Sequence, residues 1–172
     1  MKYIVLCFFF VCSINAQAQG SLKKELSFSE LQRAKKAYIQ MMESETYLSL
    51  RQNNRMITIK SNGAKLFDMD ELIAMDKDSI LSGKEYNHAE VMAFYEGYFR
   101  KKMIENIEKT KFSSVEEGVA VNMKSVELTK KKMDENAELY ALMFKASLSQ
   151  IREITAPEKL NFYDDLYEHS KN

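Results

Sequence analysis

Two histidines, a scatter of paired acids, a dense aromatic group and several lysine runs are the residues of this 172-residue chain whose spacing invites chemistry. Glu85 and His88 make a Glu-x-x-His step. A di-metal carboxylate site in a helical bundle needs two such steps plus two further inward glutamates. His169, the other histidine, has Leu166 three residues before it, and Asn87 reads as a helix cap lying between Glu85 and His88. Glu45 falls on an apolar stripe and adds one acid. Capping and chance account for this pattern, and no metal site is expected. Asp68, Asp70, Asp76 and Asp78 invite a calcium reading. An EF-hand type of loop needs alternating oxygen ligands, glycine sixth and glutamate twelfth. After Asp76 and Asp78, Ile80 stands where a ligand is wanted and Leu81 where glycine is wanted. Acids gathered at helix starts, where they favour the positive end of the dipole, explain the run better.

Nucleophilic chemistry finds no footing. Both cysteines, Cys7 and Cys12, lie in the N-terminal segment, and there is neither a Gly-x-Ser-x-Gly turn nor a phosphate-cradling glycine loop. Two distant carboxylates acting on a glycoside remain the open enzymatic arrangement. No catalytic residue and no cofactor is expected.

Binding offers two candidate sets. Phe94, Tyr95, Tyr98 and Phe99 crowd one helix around Gly97. A glycine within a helix costs about 1 kcal/mol relative to alanine, so this one asks for a close neighbouring helix or for ligand space. A small apolar ligand would be lined by Phe94, Tyr95, Gly97, Tyr98 and Tyr140. The second set is basic: Arg100, Lys101 and Lys102, then Lys124, Lys130, Lys131 and Lys132. These residues suit a docking face for an acidic protein or a lipid headgroup, although lysine runs ordinarily cover a solvated face. Eleven methionines suit an adaptable groove, but most fall at helical spacing and read as core.

The bulk numbers narrow the partners. Lys and Arg total 25, as do Asp and Glu, so the formal net charge is zero and the basic excess of a phosphate-neutralising protein is missing. No nucleic acid is expected, and the partner is expected to be another protein. Residues 1–18 read as a cleaved signal peptide: Lys2, the apolar run Tyr3–Ile14, then Ala16-Gln17-Ala18 as the small-x-small processing site. That run is short for a bilayer span. Phe9-Phe10-Val11 before Cys12 disfavours a lipid anchor there. The mature chain would start at Gln19, carry no cysteine and be held by its core alone. A periplasmic or secreted location follows, with no transmembrane segment left after cleavage.

The elements that must position these residues are marked by helix-start signatures: Ser27…Glu30, Asp68…Glu71, Asn87…Glu90, Ser114…Glu117 and Thr155…Glu158. They predict five helices. The first runs from Phe28 with Leu31, Ala34, Tyr38, Met41, Leu48, Met56 and Ile59 on one stripe. Asn62-Gly63 would stop it, while Ile57-Thr58-Ile59 also suits a short extended segment near 56–60. The second covers about 69–82, closed by Gly83 and interrupted by Asp76 and Asp78. The third covers about 88–111. The fourth, 114–154, keeps a stripe through Val119, Met123, Val126, Met133, Tyr140, Phe144, Leu148, Ile151 and Ile154, until Pro157 ends it. The fifth covers about 156–169.

A helix of about 40 residues would measure about 60 Å, longer than a sphere of this mass is wide. The fold class expected is therefore all-α: one domain over 19–172, an elongated four- to five-helix bundle around a long C-terminal helix. The function expected is that of an exported, non-enzymatic protein-interaction module of the bacterial cell envelope: an inhibitor, an immunity-type neutraliser or a chaperone-like binder. The alternatives are a bundle holding a small apolar ligand or a metal, or a carboxylate-based enzyme.

Overall fold

The computed structural model describes residues 25–76, 80 and 87–156. Among them the chain is all-α, with seven α-helices, one 3-10 turn and no strand. The helices are α1 Phe28–Glu43, α2 Glu45–Ser61, α3 Met69–Met75, α4 His88–Asn106, α5 Val115–Glu135, α6 Ala137–Lys145 and α7 Leu148–Ile154, with the 3-10 turn at Ile107–Lys109 after α4. The signal segment, Gly83, Asp78, His169 and nearly all of the helix expected at 156–169 lie outside the described residues.

Two expected helices are broken, the first once and the long C-terminal one twice. Ser44 turns extended (φ −69, ψ 147) and serves both sides of its break. Its hydroxyl donates to Met41 O at 2.7 Å and accepts from Tyr47 N at 3.2 Å, closing α1 and opening α2. The break also resets the helical phase. In α1, Leu31, Ala34, Tyr38 and Met41 are buried as expected, whereas α2 buries Thr46, Leu50, Asn53 and Ile57 and turns Leu48, Met56 and Ile59 outward. The β-branched run Ile57–Ile59 is helical, and α2 stops at Asn62 (φ 50) and Gly63 (φ 84), the left-handed pair that the sequence marks.

The long C-terminal helix is likewise three helices. Asn136 leaves the helical region at φ −124, ψ 34, and its side chain donates back to Lys132 O at 2.8 Å. Ala146 and Ser147 are both extended, and Ser147 opens α7 with a full capping box closed by Gln150. The apolar stripe passes through both breaks without a gap in the sequence, but Phe144 and Leu148 point outward while Leu139, Leu142 and Met143 are buried instead.

The described residues form two compact units, divided within α2 after Ser49 and within α5 after Glu127. In the first unit, Leu66, Leu72, Val91, Tyr95, Tyr98, Phe99, Met103, Phe112 and Val119 make one core. Its α2 and α5 segments meet along a polar seam. Asn53 Nδ2 donates to Val121 O at 2.9 Å and to Ser125 Oγ at 3.0 Å, and Ser125 Oγ donates to Asn54 Oδ1. Among the described residues, the buried Asn53 Oδ1 finds no hydrogen-bond partner. Lys60 closes the seam by pairing with Glu117 while its ammonium lies 5.6 Å from the Phe112 ring centre. In the second unit α1 packs on α6 and α7. The ion pairs Arg33–Glu138 and Lys35–Glu153 flank a buried set that includes Tyr38, Met41, Leu139, Leu142 and Ile154.

Candidate functional site

The aromatic cluster is built by α4, whose start is set by Asn87: its Oδ1 accepts from Ala89 N at 3.1 Å and Glu90 N at 3.4 Å. From that start the helix turns Val91, Tyr95, Tyr98, Phe99 and Met103 into the core. Tyr98 is fully buried and lies edge-on to Phe99 (5.4 Å between ring centres) and to Phe67 (5.8 Å). Its hydroxyl accepts from Asp68 N at 2.6 Å and donates to Asp68 O at 3.1 Å. Asp68 in turn caps α3, accepting from Asp70 N and Glu71 N. Tyr98 is therefore the pin that fixes the start of α3 against α4.

Of the expected ligand set, Phe94, Tyr95 and Tyr98 do come together, with Phe94 half-buried and edge-on to Tyr95. Gly97 lies on the opposite, exposed side of α4, and a Cβ there would meet nothing within 4 Å. It marks neither a close helix approach nor a lined space. The close approach is at Gly118, where the thioether of the fully buried Met103 fills the position a Cβ would take. Tyr140 belongs to the second unit, where its hydroxyl faces Met41 Sδ at 3.8 Å.

Most of the basic residues are engaged with acids. Lys101 and Lys102 both clamp Glu71, the first at 2.8 Å, and both also approach Glu105. Lys102 is buried, its ammonium held by Glu71 and by Glu105 at 3.5 Å. Hydrogen bonds from Lys101 and then Lys102 hold the Glu71 carboxyl below its ordinary range, and Glu71 raises both lysines in return. Arg100 reaches Glu96 at 3.3 Å and Glu116 at 3.7 Å. Lys130 pairs with Asp134, and Lys131 with Glu135 at 3.7 Å. Lys132 is buried and Lys124 exposed. Arg100, Lys101, Lys102 and Lys124 sit in the first unit, and Lys130, Lys131 and Lys132 in the second.

The acids singled out for metal chemistry have local duties. Asp76 ends α3 and its carboxylate accepts from Ile80 N at 2.6 Å. His88 is the exposed first residue of α4, and Glu45 is exposed at the start of α2. Among the described residues no three His, Cys, Asp or Glu side chains gather as a metal-holding group. No described helix is long and apolar enough to cross a membrane.

Outward apolar residues are what reading by stripe overlooks. On the first-unit part of α2, Ile59 is 56% exposed and turned away from the buried Asn53 and Ile57, and Met56, 37% exposed, borders Asn53 one turn on. In the second unit, Phe28 and Leu148 are exposed at the starts of α1 and α7. Their signal is a repeated phrase, Ser27-Phe28-Ser29-Glu30-Leu31 and Ser147-Leu148-Ser149-Gln150-Ile151, each an N-terminal box with an apolar first residue. No protein-family model, curated protein or solved structure gives a significant match to the chain.

Proposed function

We propose that the protein is a non-enzymatic interaction module of the bacterial cell envelope, exported by its N-terminal segment, that binds another protein. The observation that supports this reading is the double-sided α2. One side is committed to the polar seam and core through Asn53 and Ile57, and outside it Ile59, flanked by the exposed Arg55, and the less exposed Met56 reach solvent. Aliphatic side chains placed outward on a helix, framed by polar residues, are the material of a helix-face interface. The lysine runs contribute less to such a face than their sequence suggests, because Lys101 and Lys102 are bound up with Glu71.

Affinity capture from the envelope fraction tests the reading. The wild-type chain should enrich a discrete protein that a Met56→Ser/Ile59→Ser variant, still fully helical by circular dichroism, fails to hold. A capture that enriches nothing, or a variant that retains everything, overturns it. Charge reversal at Lys124 and Lys131 separates a basic docking face from the α2 face. The apolar-ligand reading draws no support from the α4 cluster, where Tyr98 is tied to Asp68 and Gly97 faces outward.

A further inference from the structure

The second unit carries a feature that protein binding through α2 does not use. Phe28 is 79% exposed and Leu148 71%, the two most exposed large apolar side chains among the described residues. Each is the first residue of its helix and follows a capping serine. Gln150 locks the two starts together. Its Oε1 accepts from Leu26 N at 3.0 Å and its Nε2 donates to Leu26 O at 2.9 Å, while Oε1 also accepts from Ser147 N to close the α7 box. Further along, Lys35 of α1 pairs with Glu153 of α7, so the two helices leave this end in the same direction. Phe28 and Leu148 therefore project at one end of the unit from backbone that is capped and cross-tied.

We infer that this end is a membrane-docking tip, with Phe28 and Leu148 entering the interfacial layer of a lipid bilayer. Set on two separate helix starts, these two side chains offer no single helix face for a partner's groove and bury a few hundred Å² at most. They are enough to strengthen reversible partitioning into a bilayer, where no matching surface has to be organised. The chain outside the described residues enters at this same end, through Glu25 and Leu26. It brings Lys23 and Lys24 directly before them and the apolar run Tyr3–Ile14 before that. The ten residues from Asn15 to Lys24 reach at most about 35 Å. Until residues 1–18 are removed, a run engaged in a bilayer, as the export reading has it, keeps this tip within that reach of the lipid; afterwards Lys23 and Lys24 remain beside it in the sequence. Lys145, the exposed last residue of α6, adds a cation two residues before Ser147.

The chain has no tryptophan, so Phe28→Trp in the full-length protein is a unique reporter at the tip. With vesicles of phosphatidylethanolamine and phosphatidylglycerol at three to one, its emission should move to shorter wavelength and be quenched by brominated acyl chains. Adding Leu148→Ser should lower the lipid affinity read by this reporter about tenfold, with the circular dichroism unchanged. An emission that vesicles leave unchanged overturns the inference. So does a shift that appears without lipid and follows protein concentration, which would mean that a second copy covers the tip. Mass spectrometry of the same preparation shows whether residues 1–18 have been removed. The export reading can thus fail while the tip reading stands, and the reverse.

Discussion

At Tyr98, one hydroxyl meets both backbone groups of a helix-capping residue. Tyr98→Phe keeps the ring in its pocket but leaves the Asp68 N–H without that partner. The unfolding free energy should fall by about 1–3 kcal/mol, measurable by urea titration, and an unchanged midpoint would remove the hydroxyl from its role. The two helical glycines make a contrast. Gly97→Ala meets empty space and should gain up to about 1 kcal/mol from helix propensity. Gly118→Ala, in the first turn of α5, has a smaller propensity gain and drives its methyl group into Met103, which is fully buried. Overpacking of about 1–3 kcal/mol offsets the gain, so the pair should shift the melting temperature in opposite directions.

At the scale of elements, Ser44 decides which side of α2 is core. Ser44→Ala removes a hydroxyl that serves Met41 O and Tyr47 N, and should cost about 1 kcal/mol, read as a lower denaturation midpoint. The helical class and most helix starts were legible in the sequence because caps are local chemistry. Ser27, Asp68 and Asn87 each accept a backbone N–H bond in the first turn that follows them, and Ser114 Oγ accepts from Glu117 N at 3.1 Å. The interior breaks were harder to see. A serine or asparagine within a sequence that keeps a helical stripe carries the same letters whether it caps or merely faces solvent. At Ser147 the glutamine three residues on was the available signal. The roles of the lysines were not legible, because Glu71 lies about thirty residues from Lys101 and Lys102 and only the docking of α3 on α4 brings them together.

For the molecule as a whole, carboxylates held by lysines and by hydrogen bonds from serines and backbone N–H groups should make the fold weaker in acid. Glu117 is held down to about 2 from an ordinary 4.5 by Lys60 and by Ser113, whose N–H and hydroxyl both donate to it. Glu71 is lowered by Lys101 and Lys102, Asp68 by Lys65 and the Glu71 N–H, and Glu30 by Ser27. Each of these carboxylates favours the folded state while ionised. The stabilisation is complete above its ordinary value and is lost as pH falls through its lowered one. The melting temperature should therefore fall on acidification, and for Glu117 the window runs from 4.5 down to about 2. Glu117→Gln should be less stable at neutral pH and show a shallower decline across that window. A decline as steep as the wild type's would assign the effect to the other carboxylates.

The seam of Asn53, Asn54 and Ser125 has a consequence for how α2 and α5 find their alignment. A seam of interchangeable leucines could slide by one turn and still be satisfied. Here a slipped pair strands amide and hydroxyl groups against aliphatic side chains, so wrong registers are penalised more than the right one is rewarded. Asn53→Leu/Ser125→Leu should therefore give helices that cling more tightly and misalign more often, seen as heterogeneous amide exchange along α2 beneath a raised melting temperature.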